Sequence, residues 1–233
     1  TINKRVFRKT MNVKLVSYSA PTDEWADEGL DNLQDLIAFC AKVSNPSAQI
    51  NSATSEKLLN YLVKHQHWSP FEMVSACLEI ETTRDIAHQI VRHRSFSFQE
   101  FSQRYADPKE MGDMFEYSEA RLQDTKNRQN SIAVEDEQLQ REWDWAQRRI
   151  ANLAKKEYDW AIKKGIAKEQ ARKVLPEGLT KTRLYMNGTI RSWIHYIDLR
   201  GANGTQLEHM HIAHACAEVI AKIFPNITSY TAE

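Results

Sequence analysis

From Val74 to Thr83 apolar and polar residues alternate, the two-residue period of a strand with one buried face. The period then changes at once. Ile86, Ile90 and Val91 recur at helical spacing, Thr83 stands where a cap is needed, and Asp85 puts an acid at the positive end of the first turn. A strand running into a helix without a loop leaves the chain little freedom, and the spacing predicts a helix from Arg84 to about Arg94. On such a helix Asp85, Gln89 and Arg92 share a face, whereas Arg94, two residues on, points roughly 200° away. If both arginines bind ligands, two ligands or two subunits meet there.

Beyond Arg94, Phe96, Phe98 and Phe101 are interleaved with Ser95, Ser97, Gln99, Glu100 and Ser102, a pattern of extended or irregular chain. An extended chain puts Ser102 and Arg104 on one face. A guanidinium fork beside a hydroxyl suits a phosphate, since it donates two parallel hydrogen bonds and the hydroxyl adds a third. Pairing of these arginines with carboxylates such as Glu100 is the competing account. Gln89 to Tyr105 holds more anion-binding side chains than any other segment.

The remaining pattern supplies a scaffold. Met11 to Ala20 reads as a first strand, closed by Pro21, and Leu30 to Val43 as a helix stopped by Asn45-Pro46. Ser55 to His65 reads as a second amphipathic helix, and Ser69-Pro70-Phe71-Glu72 as a capping box opening a short helix. Asp107 to Asp136 is polar and reads as a long surface connection without an assigned role. Gln138 to Lys164 forms a long helix with Trp143, Ala146, Ile150, Leu153 and Trp160 on one stripe, expected to be core or a subunit contact. A shorter helix, Lys168 to Leu175, carries Arg172 and ends at Pro176; Thr182 to Thr189 is a strand, and Ile190 to Arg200 and about Gln206 to Phe224 are helices. On the Ile190 helix Arg191, His195 and Asp198 share a face, with Arg200 nearly opposite. A few strands among several helices, without regular βα alternation, predict an α+β fold in one domain, 1–233, with a mixed or antiparallel sheet flanked by helices.

Lys plus Arg and Asp plus Glu are 31 each, so no net basic field exists to drive nucleic-acid binding. No apolar run approaches the ~20 residues of a membrane span, and a cytoplasmic protein without membrane contact is expected. Cys40, Cys77 and Cys216 are widely separated beside apolar or small residues and are expected to be buried free thiols. None lies in a Pro-Cys-His setting. His211, His214 and Glu218 share a helical face near His209, but the pattern lacks the ligand spacing of a metal site, and no metal is expected. No Gly-x-Gly-x-x-Gly or P-loop occurs among the seven glycines.

Arg92-His93-Arg94, Ser97, Glu100, Ser102, Arg104 and Tyr105 together resemble the signature of flavin-dependent thymidylate synthases, Arg-His-Arg-x-x-Ser-x-Asn-Glu-x-Ser-x-Arg, with Gln99 in place of Asn. Three further segments are similar to family patterns. His65-x-His67-x-Ser69-Pro70-Phe71-Glu72 matches an active-site segment; Ala171-Arg172-x-Val174-Leu175-Pro176 matches the setting of a nucleotide-contacting arginine; and Arg191-Ser192 through His195 to Leu199-Arg200 matches a second signature. Two residues before Arg191 the family commonly has Asn where this chain has Thr189, and Asn187 is the other candidate for that role.

The resemblance implies transfer of a one-carbon unit from 5,10-methylenetetrahydrofolate to C5 of dUMP, with reduced FAD as hydride source and NADPH as its reductant, in a homotetramer whose sites lie between subunits. It implies dUMP contacts for Gln89, Arg92, Glu100, Phe101, Ser102, Gln103, Arg104, Arg172 and Arg200, and FAD contacts for Ser69, Arg92, His93, Arg94, Glu100, Thr189, Arg191 and His195. His67 is implied for folate, Glu72 for the site, and Arg200 as the catalytic cation beside the uracil. Ser102 is expected to bind rather than attack, since no base can be assigned to it. Two other readings compete: an RNA-binding module using the Arg and Phe residues of 92–105, and a metal enzyme using the histidine cluster.

Overall fold

The computed structural model describes residues 13–231. Among them a four-stranded sheet is built from β1 (Val13–Tyr18), β2 (Ser75–Thr83), β3 (Ser97–Glu100) and β6 (Lys181–Thr189), in the order β1-β2-β6-β3 with every pair antiparallel. Met11 and Asn12, at the start of the expected first strand, lie outside the described residues. In β2, Ala76, Leu78, Ile80 and Thr82 face inward, and Cys77, Glu79, Glu81 and Thr83 outward, as the alternation requires. The outward face is polar. Lys14 pairs with Glu79, Arg183 with Glu81, and the Tyr185 hydroxyl donates to Glu79 at 3.0 Å.

Helices cover the apolar face: α2 (Leu33–Ala41), α3 (Ser55–Lys64), α4 (Arg84–Ile90), α7 (Ile190–Gly201) and α8 (Leu207–Ile220). At the centre stands Trp193, fully buried, whose indole N–H donates 3.0 Å to the Ala76 carbonyl and so ties α7 to β2. Gly188 on β6 leaves room for the Phe96 ring, which packs edge-on against Trp193 at 4.8 Å. A short α1 (Asp23–Asp27) precedes these layers.

The segment expected to be a plain surface connection is more ordered than its polarity suggests. Asp107 and Glu110 form a capping box on a 3-10 turn, Met114 is buried, Phe115 bridges to Thr180, and β4 (Arg121–Gln123) pairs with β5 (Ser131–Ala133). The long helix α5 (Glu137–Lys163) forms as expected, and of the two roles expected for its apolar stripe, core or subunit contact, the first does not hold within the chain. Gln147, Ala151, Ala154, Tyr158 and Ala161 face the protein, whereas Trp143, Ile150, Leu153 and Trp160 are 43–56% exposed. The stripe is therefore not core in the single chain. Of the three free cysteines only Cys216 is buried; Cys40 and Cys77 are half-buried. No helix among the described residues is long and apolar enough to cross a membrane.

Candidate active site

The β2-to-α4 junction falls where the sequence placed it, with Thr83 as N-cap, although its hydroxyl donates to Asp85 Oδ1 at 2.5 Å rather than accepting from the helix backbone. The helix is shorter than expected. It ends at Ile90, and Arg92 and His93 sit in turns whose amides reach Gln89 and Ile90. Burial of Phe96 against Trp193 and Tyr196 explains the early stop, because a helix carried to Arg94 would aim that ring elsewhere. Arg92 and Arg94 thus diverge from a turn, not a helix. Both are exposed, and neither has an ion pair among the described residues.

His93 points inward from this turn. Its Nε2 accepts 2.8 Å from Nε of Arg200, at the end of α7, and its ring stands edge-on to Tyr196 at 4.9 Å. Burial, and then the Arg200 charge, push the His93 pKa down to about 4, so the imidazole is neutral near pH 7. The bond uses Nε and leaves the two terminal nitrogens of the Arg200 fork without a carboxylate among the described residues. A second buried chain lies behind it: His209 contacts the Tyr196 hydroxyl at 3.1 Å and Gln89 Oε1 at 3.3 Å, and Gln89 Nε2 donates to Gln206 Oε1 at 2.7 Å. His209 is fully buried and its pKa is pushed down to about 3, first by burial and then by Arg200 and His93. It therefore belongs to α8's inner side. His214, by contrast, meets the Gly201 carbonyl, so the three histidines do not converge.

Glu100 pairs with Arg84 at 3.3 Å and accepts from Thr182 at 2.8 Å, so it is not the partner of the signature arginines, of which Arg104 alone meets a carboxylate among the described residues, that of Glu169. After Glu100 the chain turns, with the Tyr105 and Ala106 amides both bonding the Ser102 carbonyl. Ser102 and Arg104 are therefore not on one face of an extended strand. Arg104 lies 3.8 Å from Glu169, and Lys168 Nζ donates 3.0 Å to the Tyr105 carbonyl, which docks this loop on α6 (Lys168–Ala171). Arg172 follows directly in a 3-10 turn, Arg172–Val174, where a helix to Leu175 was expected. Within the loop Gln103 is 3% exposed and its Nε2 has no partner among the described residues. Phe101 is held by its amide on the Arg183 carbonyl at 2.8 Å.

A third group lies at the start of α7. Thr189 caps the helix by accepting from the Ser192 amide at 3.3 Å, which occupies its hydroxyl; Asn187 is exposed on β6. Arg191 pairs with Glu72, so the expected capping box at Ser69 does not form and the Ser69–Glu72 segment is a 3-10 turn. His195 stands edge-on to Trp68 at 4.6 Å, its pKa lowered by burial and then by Arg191. Two residues before Trp68, Gln66 adopts φ +57°, a conformation that strains a non-glycine residue, and so turns His67 back beside Tyr61.

The structure thus gathers Gln89, His93 and Arg200 in one place and Ser69, Arg191 and His195 in another, and it docks the loop carrying Ser102, Gln103 and Arg104 on α6, the helix that Arg172 directly follows. Tyr196, His209 and Gln206 were not singled out by sequence as parts of the site, since neither period nor spacing links them to Gln89.

The model of the Thy1 family, described as thymidylate synthase complementing protein, matches residues 28–226. A probable flavin-dependent thymidylate synthase of Paramecium bursaria Chlorella virus 1 is 48% identical over 217 residues, 93% of this chain and 97% of its own. A flavin-dependent thymidylate synthase of Synechocystis is 46% identical over 219 residues, 94% and 98% of the two chains. Among solved structures, a UMP/dUMP methylase PolB from Streptomyces cacaoi bound with 5-Br dUMP superposes with a TM-score of 0.76 at 25% identity, covering 94% of this chain and 93% of that one. With the signature turn folded around Phe96 and most of its length matched, the chain belongs to the flavin-dependent thymidylate synthase family.

Proposed function

We propose that this protein is a cytoplasmic thymidylate synthase that methylates dUMP at C5 to give dTMP, with methylenetetrahydrofolate as carbon donor, FAD as hydride carrier and NADPH as reductant. The observation that carries the reading is the Arg200 fork, held from behind by a neutral imidazole and left without a carboxylate among the described residues. Bond formation at C5 needs electron density moved onto that carbon, and a fixed cation at the polar edge of the pyrimidine stabilises the charge left on the ring. A neutral His93 orients Arg200 without competing for that charge. Arg92, Ser102, Arg104 and Arg172 anchor the phosphate; Gln89, Glu100, Phe101 and Gln103 complete the nucleotide site, Gln103 offering a buried Nε2 with no partner among the described residues.

FAD, when bound, supplies the hydride, and the residues fit it. Exposed Arg92 and Arg94, without ion pairs among the described residues, are suited to its pyrophosphate and to the negative charge of a reduced ring; Ser69, His93, Glu100, Thr189, Arg191 and His195 are assigned to it with them. His67, turned back beside Tyr61, is assigned to folate. The exposed α5 stripe supports assembly into a homotetramer, with sites completed between subunits. Sedimentation of a flavin-bound, active monomer would contradict that assembly. RNA binding gains no support, and His209, enclosed by Tyr196 and Gln89, is not disposed for a metal enzyme. The test of function is tritium release from dUMP labelled at C5. Release that depends on folate donor, FAD and NADPH is expected; none with all three present would overturn the reading.

A further inference from the structure

We propose that Tyr196 and His209 fix which way the Gln89 carboxamide faces, and that this orientation lets the site select a pyrimidine carrying a C4 carbonyl over one carrying a C4 amino group. The proposal rests on the reading above that Gln89 meets the nucleotide base.

Tyr196 is buried and its hydroxyl stays protonated, since burial holds its pKa well above the ordinary value. Its only hydrogen-bond partner among the described residues is His209 Nε2, at 3.1 Å. A buried hydroxyl proton without an acceptor is costly, so it goes to Nε2, and the neutral imidazole must then carry its own proton on Nδ1. The acceptor facing Nδ1 is Gln89 Oε1, at 3.3 Å. The Gln89 oxygen is thereby turned to His209 and its NH2 group to Gln206 Oε1, at 2.7 Å. Every proton in the series Tyr196, His209, Gln89, Gln206 points the same way. One N–H of Gln89 remains, and a donor fixed there matches a carbonyl oxygen and opposes an amino group. Arg200 and His93 are the other polar groups beside His209; Arg200 cannot accept, and the one acceptor of the neutral His93 ring, Nε2, is taken by the Arg200 Nε–H, so neither offers Nδ1 another acceptor.

Removing the Tyr196 proton donor frees His209 to change tautomer and Gln89 to turn over. Both residues act through Gln89 and are positioning residues. The test is equilibrium binding of dUMP and dCMP to the FAD-loaded protein, for wild type, Tyr196→Phe and Gln89→Ala, with melting temperature and flavin content as folding controls. Tyr196→Phe is expected to reduce the preference for dUMP by about tenfold, the size of one misdirected hydrogen bond. An unchanged preference in Tyr196→Phe, with a reduced one in Gln89→Ala, would overturn the proposal and leave Gln89 at the base. Unchanged binding of both nucleotides by Gln89→Ala would remove Gln89 from the site, and the proposal with it. Failure of the wild-type holoprotein to bind either nucleotide would instead strike at the proposed function. A second measurement needs no variant: 15N spectra of the histidine-labelled holoprotein should show His209 as the Nδ1–H tautomer, and an Nε2–H tautomer would refute the argument.

Discussion

Exchange of His209 for Asn should remove a specific part of the protein's acid sensitivity. In the folded protein the His209 imidazole resists protonation until about pH 3, while in the unfolded chain it takes a proton below its ordinary value of 6.5. The unfolded state therefore binds more protons across that window. Stability contributed by the neutral ring is fully present above 6.5 and is lost as pH falls from there towards 3, at about 1.4 kcal/mol for each pH unit. At about pH 5 the loss amounts to about 2 kcal/mol, a large share of a typical margin of about 5–15 kcal/mol. The assay is urea unfolding of wild type and His209→Asn at about pH 7.5 and about pH 5, compared as a double difference. Asp85, whose pKa burial raises, contributes with the opposite sign in both proteins and cancels. Wild type should lose about 2 kcal/mol more than the variant over this interval. Equal losses would show that His209 is not held neutral by its enclosure, and the buried hydrogen-bond series would be wrong.

Three further outcomes follow from the geometry. Arg200→Lys keeps a charge but loses the fork and the Nε–H given to His93, and turnover should fall by about 10²-fold or more while FAD binding is retained, read by single-turnover kinetics beside flavin absorbance. Ser102→Ala should weaken dUMP binding by about tenfold and leave turnover measurable at saturation; abolished chemistry with normal dUMP affinity would make Ser102 a nucleophile instead. Gly188→Ala would place a methyl 2.6 Å from Cε1 of Phe96, and thermal unfolding should show a loss of about 1–3 kcal/mol as that ring is displaced from Trp193.

What was legible in the sequence was what is written in short-range pattern. Alternation from Val74 gave β2, the Ile86 and Ile90 spacing gave α4, and Ile190 to Arg200 gave α7 nearly to the residue. The helix through Arg92 was over-extended because its end is set by Phe96 seeking Trp193, a contact across nearly a hundred residues. On α5 the large apolar residues dominate the helical pattern, yet the packed face uses Ala151, Ala154 and Ala161, whose small side chains let the helix approach closely. β4 and β5, three residues each and polar, carry no period to read. The signature located Arg92 to Arg104, but not the neutral histidine behind Arg200 or the Gln89–His209 contact, whose partners are 107 and 120 positions apart. Such contacts depend on how α4, α7 and α8 pack together, and no local spacing encodes that.

If flavin and dUMP share one site built on these arginines, the visible absorption spectrum of the purified protein with added FAD must respond to a titration with dUMP. Bound flavin is expected whose spectrum shifts saturably as dUMP enters, with the shift lost in Arg200→Ala. Flavin that fails to bind, or bound flavin indifferent to dUMP at every concentration, would contradict a shared site.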